Sequence, residues 1–270
     1  MDRRTYLKAS GGAFSALALS GCVSTITGSN GDKIIIGSDI PYKPFEYEKE
    51  DGTLTGFDPA IAKAIFKDQM DREYEFQKTS FDSIMKSLNN GNFRIIMSAM
   101  TINDKRKKNI AFSDPYFTAY QTVAIKKDGS IKKLEDLKGK TVAVQKGTTG
   151  EDTTVDLKKK WNGNLKIDKY DQITGAFNAL QNDQAVAVIN DNTVNAQFVN
   201  DNDNVIFLEG DGEAAKKGKN APSYLTLSVE EYGIGFRKDD DEFRKKVNKA
   251  LSTIKDNGTY DDIYSQYFNG

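Results

Sequence analysis

From Lys33 onward, short runs of β-branched residues alternate with stretches whose apolar positions recur every three or four residues. Such alternation predicts strands interleaved with helices, an α/β fold. Ile34–Gly37, Ile95–Met97, Gln121–Ile125, Thr141–Val144, Ile167–Tyr170, Val186–Ile189 and Tyr232–Phe236 read as strands, and Val205–Leu208 as a last short strand leading back. Asp58 followed by Pro59 predicts a helix start, with Ile61, Ala64 and Ile65 on one apolar face. Ser80 is placed to cap a helix on which Ile84 and Leu88 stack one turn apart, with Gly91 at its end. Further helices are predicted after Thr149, with Val155, Leu157 and Trp161, around Ala176–Leu180, and over Phe243–Ile254. Gly258 precedes a final aromatic-rich helix ending at Phe268. There is no internal repeat, and the Gly- and Lys-rich stretch Gly210–Lys219 reads as a solvated surface loop.

Three of these strands end in residues with useful chemistry. Thr101 and Arg106 follow the Ile95 strand, Gly147-Thr148-Thr149 follows the Thr141 strand, and Asp191 ends the Val186 strand. A guanidinium grips a carboxylate through two parallel hydrogen bonds, and an aspartate at a strand end accepts from an ammonium. Together they suit a zwitterion, which points to a binding protein.

The first 22 residues bear on the compartment. Asp2-Arg-Arg-Thr-Tyr-Leu-Lys8 is a twin-arginine run, and the weakly apolar stretch Ala9–Ser20 is too short and too rich in Gly and Ser to span a bilayer. Leu19-Ser-Gly-Cys22 resembles a lipobox, so Cys22 is the expected lipid-attachment residue. Residues 23–32 have the composition of a flexible tether. Export by the twin-arginine route and a lipid-anchored, extracytoplasmic protein are the expectation. With Cys22 the only cysteine among 270 residues, a disulfide within the chain is excluded.

Composition narrows the functional classes. The balance of 38 basic against 39 acidic residues gives no electrostatic footprint for nucleic acid. The absence of histidine removes His-based triads, His-containing zinc sites and His acid–base catalysis. No Walker-type phosphate loop is present, and neither a cofactor nor a metal is expected.

The segments Ile36–Glu46, Gly52–Asp58, Met97–Phe117 and Val142–Thr149, with Gly258-Thr-Tyr260 and Tyr267-Phe268, resemble the family 3 solute-binding proteins of polar amino-acid ABC transporters. The resemblance spans nearly all of Lys33–Phe268, and the joint order and spacing of the motifs carry it. It implies a two-lobed, hinged fold of the periplasmic-binding-protein type II class. Lobe one would comprise residues 33–119 and 209–270, and lobe two residues 120–208. The chain would cross near Tyr120-Gln121 and near Leu208-Glu209, with the ligand enclosed between the lobes.

The resemblance also implies roles. Arg106 would hold the ligand α-carboxylate, Thr101 would offer its backbone N–H to that carboxylate and its hydroxyl to the ammonium, and Asp191 would pair with the ammonium. Thr149 would add a backbone N–H at a helix start, with Thr148 shaping the turn. Ser98 would form a pocket wall. Ala99 stands where relatives often have Ser, but the contact there is made by the backbone carbonyl. Tyr42 and Phe81, with Phe45 a weaker candidate, would form an aromatic wall. Asp39 and Gln145 would face the ligand side chain and favour a basic or amide-bearing amino acid, unless Lys146 points inward. The expected partners are a free amino acid, an ABC transporter permease and the membrane, with the chain a monomer and not an enzyme. A dehydratase-type enzyme and a ligand-sensing protein on the same fold are the alternatives.

Overall fold

The computed structural model describes residues 33–216 and 222–268. The leader, the Cys22 lipobox, the tether over 23–32 and part of the Gly210–Lys219 loop lie outside the described residues. In chain order, β1 (Ile34–Ser38), β2 (Tyr47–Glu48), β3 (Leu54–Thr55), β4 (Tyr74–Lys78), β5 (Ile95–Ile96) and β6 (Ala111–Phe112) precede the ten-residue strand β7 (Phe117–Lys126). They are followed by β8 (Thr141–Gln145), β9 (Lys166–Tyr170), β10 (Ala187–Asp191), β11 (Val205–Phe207), β12 (Thr226–Tyr232) and β13 (Gly235–Phe236). The helices are α1 (Phe57–Ala62), α2 (Ile84–Asn89), α3 (Asp104–Lys107), α4 (Thr149–Lys160), α5 (Ile173–Gln181), α6 (Asn192–Asp201), α7 (Glu213–Lys216), α8 (Asp241–Asp256) and α9 (Thr259–Phe268).

Two sheets organise these elements. The first runs β4-β1-β5-β13-β6, and the second β11-β7-β10-β8-β9 with β12 also on β7. β1, β5, β8 and β10, the inner members of the parallel pairs, read as apolar runs because both their faces are covered, whereas their edge partners β4 and β9 are largely polar. On β7, Val123 and Ile125 pack with Val142, Val144, Leu157 and Trp161, whereas Ala119 and Ala124 face the larger core that holds Phe177, Val188 and Val194. The first sheet has Ile84, Leu88, Phe93 and Phe112 clustered with Ile96, while Ile34, Ile36 and Ile95 belong to the larger core. On α8 the buried stripe is Phe243, Val247, Ala250, Leu251 and Ile254, the face its periodicity predicts.

Four elements differ from the pattern reading. Gly56, not Asp58, occupies the cap of α1, because the Asp58 carboxylate is turned inward to accept from the Ala99 N–H at 3.0 Å and the Tyr116 hydroxyl at 2.8 Å. The helix then continues as a π-helix over Lys63–Gln69. Ser80 makes no side-chain cap; it precedes a 3₁₀ turn at Phe81–Ser83, and α2 begins at Ile84. The run Tyr232–Phe236 divides between the end of β12 and the separate strand β13.

β7 and β12 join the sheets. They pair antiparallel from Phe117↔Tyr232 to Thr122↔Thr226, with β6 before β7 and β13 after β12 both in the first sheet. Beyond Leu208 the chain stays beside the second sheet. Leu208 donates to Val123 O at 2.8 Å, Leu225 donates to Leu208 O at 2.8 Å, and Ala214 of α7 donates to the Thr226 hydroxyl at 2.8 Å. The return to the first sheet therefore runs along β12.

Candidate functional site

Loops at the ends of strands in both sheets converge on one tightly closed cavity, lined by Asp39, Tyr42, Phe81, Ser98, Ala99, Thr101, Arg106, Gln145, Thr148, Thr149 and Asp191. The ligand-contact candidates of the sequence reading, apart from the weaker candidate Phe45, line it together. Phe45 lies in the core, with ring centroids 5.0 Å from Phe117 and 5.2 Å from Tyr232. Lys146 is half exposed and paired with Asp171 at 2.5 Å.

Asn103 caps α3 by accepting from the Arg106 N–H at 2.9 Å, which leaves Thr101 free of that task. Arg106 is 4% exposed. Its Nη1 donates to Thr101 O at 2.9 Å, its Nη2 donates to Gly147 O at 3.2 Å, and its guanidinium lies 5.2 Å from the Phe81 ring centroid. Burial lowers its pKa, against the opposing pull of Glu230 and Asp191. Among the described residues no carboxylate forms an ion pair with it.

Asp191 begins α6 without capping it. It accepts instead from the Tyr42 hydroxyl at 2.5 Å and from Gln121 Nε2. The Tyr42 hydroxyl oxygen also lies 2.9 Å from Asn190 Oδ1. Burial pushes the Asp191 carboxyl up to about 7, and Glu230 adds to the rise. Asp39 sits elsewhere on the cavity wall, where burial raises it to about 6 although Gln145 donates to it. Thr148 caps α4, accepting from the Glu151 N–H at 3.2 Å. Ser98 accepts from the Asp39 N–H at 2.9 Å and donates to the buried Glu46 at 2.8 Å. The Asp58 bond holds the neighbouring Ala99 in a left-handed conformation, φ 45°.

The two sides touch across the cavity. Besides the Tyr42–Asp191, Asp39–Gln145 and Arg106–Gly147 contacts, Lys105 pairs with Asp152 at 2.7 Å on the rim. Gly147, at φ +75°, lies so close that a Cβ there would stand 2.8 Å from Asp82 Cα. The sequence reading missed Gln121, Asn190 and Glu230. Glu230 is buried on β12 and accepts from Thr101 Oγ1 at 2.6 Å and Thr149 Oγ1 at 2.8 Å. Thr226, Val229 and Tyr232, residue types favoured in strands, were the signal that could have identified that strand. Chemically, the cavity opposes a buried guanidinium to two buried carboxyls.

Known proteins resemble this chain along most of its length. The bacterial extracellular solute-binding proteins, family 3, match residues 34–270. The arginine-binding extracellular protein ArtP of Bacillus subtilis (strain 168) is 34% identical over 94% of this chain and 93% of its own length. A probable histidine-binding protein of Neisseria gonorrhoeae is 33% identical over 95% of this chain and 92% of its own. Among solved structures, an ancestral arginine-binding protein bound to arginine superposes with a TM-score of 0.77 at 37% identity, over 87% of this chain and 98% of its own.

Proposed function

The chain belongs to the bacterial extracellular solute-binding proteins of family 3, and from that premise we propose that it captures a free amino acid with a basic or amide side chain and delivers it to an ABC importer. Its fold is the two-lobed, hinged type of its structural relatives. The observation that carries the reading is Arg106, buried without a carboxylate partner among the described residues, in the same cavity as Asp191 and Asp39. An α-carboxylate would supply the missing anion, an α-ammonium would meet Asp191, and a cationic or amide side chain would extend to Asp39 and Gln145. Removing all four groups from water leaves each dependent on its partner. The curated relatives support this side-chain class: besides the arginine- and histidine-binding proteins, a glutamine-binding protein of B. subtilis is 30% identical.

We place the hinge in the β7–β12 pair, near Tyr120 and Val229, with the second crossing inside β12 instead of at Leu208-Glu209. Ligand contacts from both lobes exist together only in the closed form, so binding shifts the population to it. Gly147→Ala is expected to weaken binding about tenfold or more, because its Cβ would meet the Asp82 backbone as the lobes close and its φ disfavours a side chain. Isothermal titration against the wild type checks this; unchanged affinity would remove the close approach from the mechanism.

A thermal-shift screen of the mature chain, stripped of carried-over ligand, against the twenty amino acids tests the function itself. Ligand at a hundred times its Kd adds about 2.7 kcal/mol, worth roughly 5–10 °C for a protein of this size. Arginine, lysine, histidine or glutamine should give that shift and aspartate should not; a flat response to all twenty would overturn the reading. No helix among the described residues is long and apolar enough to cross a membrane. We propose twin-arginine export and anchoring through a lipid on Cys22. Cys22→Ser should release the protein into the medium or leave it unprocessed, and mature, membrane-bound protein in that variant would defeat the anchor.

A further inference from the structure

Glu230 stands where the two lobes meet, opposite Ala119 of β7. One of its oxygens, Oε2, accepts from both Thr101 Oγ1 at 2.6 Å and Thr149 Oγ1 at 2.8 Å, hydroxyls that line the cavity from opposite sides. The other oxygen accepts from Ser228 Oγ at 2.8 Å. A threonine hydroxyl has a single proton to give. With that proton directed at Glu230, each hydroxyl turns only lone pairs towards the cavity. Gln121 strengthens the pattern, because its Nε2 donates to Thr149 Oγ1 at 3.0 Å and also to Asp191. Thr101, Thr149 and Asp191 thus offer acceptors, while Arg106 offers donors.

We propose that Glu230 is a positioning residue that sets specificity for the amine: by holding both hydroxyl protons it makes Thr101 and Thr149 acceptors, so that this end of the cavity favours an ammonium over a hydroxyl of similar size. An ammonium donates three times and presents no lone pair. A hydroxyl donates once and turns its own lone pairs on the remaining acceptors. The inference rests on the amino-acid reading above and adds the discrimination between 2-amino and 2-hydroxy acids. Without Glu230 the threonine hydroxyls rotate and donate into the cavity, which removes an acceptor from the ammonium and supplies a donor to the hydroxyl.

The test is the ratio of Kd values for L-arginine and L-argininic acid, its 2-hydroxy counterpart, in the wild type and two variants. Glu230→Met, similar in length but without the acceptor, should lower the preference for arginine about tenfold or more, mainly through loss of arginine affinity. Glu230→Gln should hold the ratio within about threefold, because its carboxamide oxygen can accept both hydroxyls while its NH₂ faces Ser228. An unchanged ratio in Glu230→Met, with both ligands weakened equally, would reduce Glu230 to a structural support. A Glu230→Gln variant as indiscriminate as Glu230→Met would assign the effect to charge and overturn the proposal. Should Glu230→Met fail to fold, neutron diffraction of the wild type decides: deuterons on Thr101 and Thr149 directed at Glu230 support it, and deuterons directed into the cavity refute it. A wild type that binds no amino acid at all fails the reading of the site, and this proposal with it.

Discussion

Arg106→Ala should abolish amino-acid binding at millimolar ligand while the unliganded protein melts no lower than the wild type. The guanidinium is 4% exposed, and its bonds to the Thr101 and Gly147 carbonyls aim it into the cavity. Truncating one partner of a buried, hydrogen-bonded charge pair costs about 2–5 kcal/mol, roughly 30- to 4,000-fold in affinity. The alanine variant sits at the upper end, since it leaves the ligand carboxylate in a closed, dry cavity without a counter-charge. Stability should not suffer, because burial already works against the charged guanidinium in the empty protein. Calorimetric titration and thermal melting of the same sample separate the two effects. Near wild-type affinity in this variant would remove the central claim.

Asp191→Asn should weaken binding about a hundredfold and remove most of its pH dependence near pH 7, leaving the part Asp39 contributes at about 6. In the wild type the empty closed site holds the Asp191 carboxyl at about 7, chiefly through burial. An ammonium favours the ionised form, so binding near pH 7 should release a proton, and affinity should fall as pH drops through about 7. The asparagine cannot ionise, so the variant should keep only the smaller proton release that Asp39 supplies. It also presents one acceptor and one donor group where the Tyr42 hydroxyl and Gln121 Nε2 both donate. Titrations in buffers of different ionisation enthalpy count the protons. Equal proton release in wild type and variant would place the ammonium elsewhere.

For the closed site taken without ligand, the stability contributions of Asp191 and Asp39 have a definite sign. Both pKa values are raised on folding, to about 7 and about 6, from about 3.8. The folded state therefore binds more protons between these limits, and this contribution to stability falls as pH rises from about 4 to about 7.

Periodicity alone exposed most of the α/β frame. β1, β8 and β10 are buried on both faces and read as continuous apolar runs, and the stripe on α8 is equally plain. β4 escaped notice, since Tyr74–Lys78 carries Glu75, Gln77 and Lys78 on a sheet edge. β12 escaped for a related reason: adjacent glutamates in Ser228–Tyr232 look solvated, although Glu230 is buried. The fates of Asp58 and Phe45 were likewise invisible. Whether an aspartate caps its own helix or reaches a distant N–H depends on what packs against it.

By itself, then, the sequence determined the α/β class, the buried strands and, through the order of its motifs, the residues that line the cavity. Tertiary structure decided which charges lack partners, how the chain runs from the second sheet back to the first along β12, and which groups the cavity hydroxyls reach. Those properties depend on groups brought together from distant parts of the chain: Tyr42 with Asp191, Arg106 with Gly147, and Thr101 and Thr149 with Glu230. Burial pattern is a local property of a segment, whereas pKa and hydrogen-bond polarity are set by whatever the fold places within a few ångströms.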